Sequence, residues 1–468
     1  MGDPVEPGVR ETWARFEDFV GRVMDVEQVP GMSVAFACGG RIIYARGFGW
    51  QDRERGVPAR VATIYGAASI TKSLTAVAIL QLQEAGKLSV ADPVRKHLPD
   101  FRVPDSQATD RITVHHLLTH TSGLPPLAFR KQTPKTAGEL LDRLANSPYR
   151  LLGEPGTIFS YSNEGYALLG VIIERASGVP FSSYVEQRIL EPLGMRNSTA
   201  DTAALERFPD VTRLYAREDD AGRVVPAPGW NEWGPYAASG ALRSNVLDLL
   251  QYLSRLPAEG DPGRQGGPGR RGGLSGQRLL DPGSVALMRT RWVEYLPGTH
   301  YGYGWQIRSL AGGLTAEGHS GNSRGVGAYA GCVPEKGIAG VVLANLSRIA
   351  AADVWEAGVR TILGMEPATE PLQPRETAPA GPASGVDWNE YTGVYRSEQG
   401  VELRIWPRED GGIIAACEGI RGPARWIGPD CFEIRIRTRR ERFVFLRAAD
   451  GSIPYVRYHQ RVLQRVAP

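Results

Sequence analysis

Of the chain's six lysines, Lys72 stands three residues after a serine, in Gly66-Ala67-Ala68-Ser69-Ile70-Thr71-Lys72-Ser73. A serine hydroxyl is a poor nucleophile until a base takes its proton, and an amine kept from water can have its pKa lowered enough to be that base. Ile70, Leu74, Val77 and Ala78 recur at helical spacing and Gly86 follows as a stop signal. The stretch therefore predicts an apolar helix opened by Ser69, with Lys72 one turn further in on the same face. Free N–H groups at the helix start lie beside the reacting oxygen. Ser69 is the candidate nucleophile, although a lone Ser-x-x-Lys is also what a helix start followed by a solvated lysine looks like.

Two further stretches carry suitable groups. Tyr161-Ser162-Asn163 precedes an apolar helix predicted from Tyr166 to Ala176. The phenol could exchange protons with Ser69 and the leaving group, and the Asn163 amide could position Lys72 or the substrate. Taken alone, the same triplet reads as a core tyrosine and a helix cap. His319-Ser320-Gly321-Asn322 ends a strand predicted from near Leu314. Gly321 allows close approach of substrate backbone, and the Asn322 N–H could join that of Ser69 as an oxyanion hole.

The elements that must position these groups come from both ends of the chain. Trp13, Phe16, Phe19, Val20 and Val23 predict an amphipathic helix over residues 10–27. Two apolar runs around Gly39-Gly40 predict a β-hairpin. Signals are mainly helical from Ser69 to about Leu256, and strands return at Gly313 to Leu346 around a Pro334-Glu335-Lys336-Gly337 turn. A helix over Ala350 to Leu363 closes the unit. One antiparallel sheet assembled from both ends, with a helical block packed on it, is the expected α+β architecture. Residues 257–276, rich in Gly, Pro and Arg, predict a surface loop, and residues 365–387 a linker. Beyond it, alternating Val401, Leu403, Ile405 and Phe432, Ile434, Ile436 predict a small antiparallel β-barrel over 388–468.

Composition excludes several classes. An apolar content of 42%, a charged content of 22% and a net charge of +3 describe a soluble globular protein with no basic footprint for nucleic acid. No run approaches a membrane span, and the start Met1-Gly2-Asp3-Pro4 lacks the pattern of a secretory signal, so a cytoplasmic location and no membrane partner are expected. Cys38, Cys332, Cys417 and Cys431 are too dispersed for zinc pairing or a disulfide scaffold and predict free thiols.

Ser-Ile-Thr-Lys, Tyr-Ser-Asn and His-Ser-Gly stand in that order, at a helix start, before a helix and on a strand. The chain thereby resembles the serine β-lactamase and penicillin-binding-protein superfamily, nearest its class C β-lactamase, DD-peptidase and esterase branch. Leu117-Leu118-Thr119-His120-Thr121-Ser122-Gly123-Leu124, Pro155-Gly156 and Tyr301-Gly302-Tyr303-Gly304-Trp305 look like further landmarks of it. The resemblance implies a hydrolase domain over residues 1–364, with a helical subdomain at about 65–300, and a lipocalin-like barrel at 388–468 that could cover the active-site cleft, bind an apolar ligand or drive oligomerisation. It implies that Ser69 attacks an acyl carbon, that Lys72 and Tyr161 take its proton, and that Tyr161 protonates the leaving group. Asn163 orders the site, with His319, Gly321 and Asn322 on the substrate and oxyanion side.

No cofactor or metal is required, and the implied partner is a small ester or D-amino-acid peptide, with room for a homo-oligomer. Peptidyl thioesterase or cyclase, weak β-lactamase and non-catalytic scaffold are the alternatives. The departure is His319, where many family members carry a lysine that supplies a fixed charge for a substrate carboxylate. A histidine is largely neutral above its ordinary pKa of about 6.5. Arg324 could restore that anchor or be an ordinary surface arginine, Trp233, Tyr236, Tyr303 and Trp305 could wall an acyl pocket or pack in the core, and His120 reads as structural.

Overall fold

The computed structural model describes residues 7–127, 133–218, 223–256, 278–366, 386–409, 411–417, 420–436, 439–458 and 460–466. The predicted Gly/Pro/Arg-rich loop and most of the predicted linker lie outside the described residues.

A helix α1 (Pro7–Glu27) leads into the hairpin β1 (Gly31–Cys38) and β2 (Arg41–Asp52), followed by the short β3 (Val57–Pro58). Gly39 and Gly40 both take positive φ at the hairpin turn, as a tight two-residue connection requires. The sheet is completed by six strands from the far end of the unit. These are β4 (Val293–Leu296), β5 (Thr299–Tyr301), β6 (Gln306–Ser309), β7 (Thr315–Ser323), β8 (Val326–Val333) and β9 (Ile338–Ala344). The spatial order is β3-β2-β1-β9-β8-β7-β6-β5-β4, so β1 pairs antiparallel with β9 across some three hundred residues of chain.

Alternation along the central strands sorts side chains to two cores. Met32, Val34 and Phe36 of β1 join Val342 and Ala344 of β9 against α1 and a closing helix over Ala351–Ile362. Ala35 and Ala37 join Val341 and Leu343 against the helical block. That block centres on α2 (Thr71–Glu84) and α3 (Asn163–Ser177), and its eleven buried α2 residues explain why an amphipathic stripe is absent there. The closing helix, α4 (Ala351–Ile362), packs so tightly that Gly340 and Gly358 are needed to accommodate the Phe36 ring.

After the linker, eight strands close into an antiparallel barrel from β10 (Gly393–Arg396) to β17 (Arg461–Val466), with β16 (Tyr455–Tyr458) beside the last. Tyr395, Leu403, Phe432, Phe443 and Val456 fill its interior, and Phe432 stacks on Phe443 at 5.6 Å between ring centres. The barrel is thus a packed body, and its β16–β17 hairpin is set against the hydrolase-like unit. Among the described residues no helix is long and apolar enough to cross a membrane, and none of the four cysteines forms a disulfide.

Candidate active site

Ser69 sits in a 3-10 turn, Ala68–Ile70, that runs directly into α2. Ala68 holds φ at +44°, a conformation that alanine avoids, and the turn is tied down on both sides. The Ala67 N–H donates to Leu242 O at 2.8 Å and the Thr71 hydroxyl to Ala68 O at 2.6 Å. Strand β7 passes close by, because a Cβ on Gly321 would stand 2.2 Å from Ala67 O. Glycine is therefore needed there for backbone to reach the serine turn, and the strand extends through His319 to Ser323, beyond the predicted end.

Lys72 is fully buried on the next turn. Its Nζ lies 3.2 Å from Ser69 Oγ, 2.9 Å from Asn163 Oδ1 and 2.7 Å from Ser239 O. Burial, reinforced by the charge of Arg461, drives its pKa well below the ordinary lysine value, against the opposing pull of Glu164. An unprotonated amine has two hydrogens and one lone pair. Carbonyl oxygens can only accept, so Asn163 and Ser239 take the two hydrogens and the lone pair is left facing Ser69.

Asn163 is the first residue of α3 and does not cap it. Ser162 does, its hydroxyl accepting from the Gly165 N–H at 3.1 Å. Tyr161 is buried with its ring 4.7 Å from Lys72 Nζ, and burial raises its pKa. Ser69 stands beside the phenol and favours its ionised form, outside regular hydrogen-bond geometry. Lys72 thus bridges the serine and the asparagine, with the tyrosine ring alongside.

His319 is buried and both its ring nitrogens are engaged. Nδ1 lies 2.6 Å from Ser320 O, which can only accept, so Nδ1 carries the hydrogen and Nε2 accepts from the Tyr301 hydroxyl at 3.0 Å. Burial above all pushes the His319 pKa down to about 3, so the ring is neutral. Asn322 turns its side chain to the Arg348 N–H at 3.0 Å, which leaves the backbone as its contribution to the cleft. Ser69, Tyr161, His319, Gly321 and Asn322 all line one cleft of about 530 Å³.

The sequence matches the family described as Beta-lactamase over residues 16–358. The chain belongs to the beta-lactamase family. Among its relatives, "Protein flp" of Staphylococcus aureus (strain MW2) is 33% identical over 207 residues, 44% of this chain and 41% of flp. "Esterase EstB" of Burkholderia gladioli is 34% identical over 213 residues, 42% of this chain and 53% of EstB. The chain therefore spans about half the length of these curated relatives. An octameric penicillin-binding protein homologue from Pyrococcus abyssi superposes with a TM-score of 0.65 at 30% identity, covering 96% of this chain and 99% of that one.

Other residues that the sequence singled out have structural places in this beta-lactamase family member. Tyr236, Tyr303 and Trp305 are core residues, buried away from the cleft, whose aromatic lining is Tyr161, Tyr295, Tyr329 and Tyr458. Arg324 is exposed and donates to Asn231 Oδ1 at 2.8 Å beside a separate small hollow. His120 is buried with φ at +59°; its Nδ1 accepts from the Ser162 N–H at 3.1 Å and its carbonyl from Ser160, so it braces the Tyr161 stretch.

That the barrel could cover the cleft was expected; which of its residues reach the site was not. The Gln460 carbonyl accepts from the Tyr161 N–H at 2.8 Å, and the Ser160 hydroxyl accepts from the Val462 N–H at 3.4 Å. Arg457 donates to Phe159 O at 3.2 Å and Tyr295 O at 2.7 Å. Nothing in Tyr455-Val456-Arg457-Tyr458-His459-Gln460-Arg461-Val462 departs from an ordinary hairpin. The faint signal is arginine at two positions flanking a turn.

Proposed function

We propose that the protein is a serine hydrolase that forms an acyl-enzyme on Ser69 from esters or small amides, including D-amino-acid peptides. The observation that carries this reading is the buried Lys72 amine, held by Asn163 Oδ1 and Ser239 O with its Nζ 3.2 Å from Ser69 Oγ. The Ser69 proton passes to Lys72 as Oγ bonds to the acyl carbon, and the carbonyl electron pair moves onto its oxygen. The N–H groups of Ser69 and Asn322 receive that oxyanion. As the intermediate collapses, the bond to the leaving group breaks and Tyr161, recharged through Lys72, protonates the departing atom. Water, deprotonated by the same pair, then releases the acid and restores Ser69.

Similarity to an esterase at 34% identity supports the ester side of this reading. A fluorophosphonate probe tests it: wild type is labelled, Ser69→Ala is not, and its kcat/KM on an activated ester falls by at least about 10³-fold. Equal labelling of the two proteins removes Ser69 from the reaction. A panel of an ester, a D-peptide and a peptidyl thioester with a free internal amine then ranks hydrolysis against cyclisation.

A further inference from the structure

In this fold a serine, a lysine and a tyrosine explain acyl transfer, but they do not explain what selects the substrate. The position where a lysine would supply a fixed charge holds His319, and both its nitrogens are committed, one as donor to Ser320 O and one as acceptor from Tyr301. Arg324 is turned to Asn231 at another hollow. The hydrolase-like unit thus leaves this job undone at the place where it would be expected.

The barrel brings a guanidinium to the same cleft. Arg461 is the first residue of β17, and both of its chain neighbours are bonded to the catalytic stretch: Gln460 through its carbonyl to Tyr161, Val462 through its N–H to Ser160. Gln460 holds φ at +66° to make that turn. The backbone of Arg461 is therefore bracketed between two hydrogen bonds to consecutive residues, Ser160 and Tyr161. Its side chain lines the cleft with Ser69, Tyr161 and His319, and is steered by Gln399, whose Oε1 accepts from Nη1 at 2.7 Å. Its charge also bears on Lys72, Tyr161, His120 and Glu164.

We propose that Arg461, carried into the cleft by the barrel hairpin, is the binding residue for a carboxylate on the substrate. A guanidinium presents its N–H groups in a fork that matches a carboxylate, and beside a water-poor site this pairing discriminates an acid from its neutral ester. The inference rests on the hydrolase reading of Ser69, and it makes the substrate of that reaction an anion.

The test uses the full chain and two matched pairs of activated esters. In one pair the acyl part carries a free carboxylate or its methyl ester, as in a p-nitrophenyl hemisuccinate. In the other the leaving group does, as in an acylated glycolate. The readout is the ratio of kcat/KM for the acid to that for its methyl ester. In wild type this ratio exceeds one in at least one pair, and in Arg461→Gln it falls by about 10- to 100-fold, mainly through KM. Arg461→Lys keeps the charge but not the fork, so it falls between the two, and it is the variant read if the glutamine protein does not fold. A wild-type ratio near one in both pairs, a ratio that Arg461→Gln leaves unchanged, or an equal fall in Arg348→Gln on the cleft rim overturns the proposal. Failure of a fluorophosphonate to label wild type overturns the hydrolase reading instead.

Discussion

Around the Lys72 amine two charges act in opposite senses. Arg461 lowers its affinity for a proton and Glu164 raises it, each on top of the dominant effect of burial. If Lys72 is the base, kcat/KM on a neutral ester rises with pH along a limb set by loss of the Lys72 proton. Arg461→Gln removes a repelling charge, so the limb moves to higher pH. Glu164→Gln removes an attracting one, so it moves to lower pH. Measured pH profiles that shift in the same direction in both variants would take Lys72 out of that role. At this scale the sequence supplied the residue types and their spacing, because Ser69 and Lys72 are local to one helix start. It could not supply Ser239, whose part is played by a backbone carbonyl that any residue possesses.

At the scale of elements, glycine marks where two of them meet. In α4, replacing Gly358 by alanine should help the helix by about 1 kcal/mol on intrinsic propensity alone. The new Cβ, however, would stand 2.0 Å from the Phe36 ring, which is fully buried and cannot move aside. Overpacking of that kind costs about 1 to 3 kcal/mol, so Gly358→Ala should lower the melting temperature, read by a thermal melt followed by circular dichroism. The β1–β2 hairpin, β7 to β9 and the closing helix were legible because period-two and helical alternation are local patterns, whereas β4 to β6, of three or four residues each, are too short to show one. The start of α3 was less so. Asn and Ser are both good helix caps, and only the position of Lys72, 91 residues away in sequence, decides that Ser162 caps while Asn163 bonds the amine.

At the scale of the whole molecule the barrel is a structural part of the cleft. Arg457 is buried with its donors on Phe159 O and Tyr295 O, and its charge lies 5.6 Å from the Phe159 ring centre. Arg457→Met would keep much of the volume but leave two carbonyls without their donor, a loss of about 2 to 4 kcal/mol. Because the Phe159–Tyr161 stretch would also loosen, kcat on a small ester should fall along with the melting temperature; a fall in stability with unchanged kcat would mean that the barrel does not position Tyr161. This docking was hidden in the sequence. Alternation in 455–466 says only that two strands pair, and the partners of the outward-facing groups lie about 160 to 300 residues earlier.

That separation also sets an order of events during synthesis. The serine, the lysine and the tyrosine leave the ribosome early, but the carbonyl of Gln460 that holds Tyr161 is made almost three hundred residues later. A nascent chain, or one clipped within its last hairpin, carries the reacting trio without the brace behind it. If the three act as proposed, a single proteolytic cut within that hairpin would weaken the reaction while leaving Ser69 itself untouched.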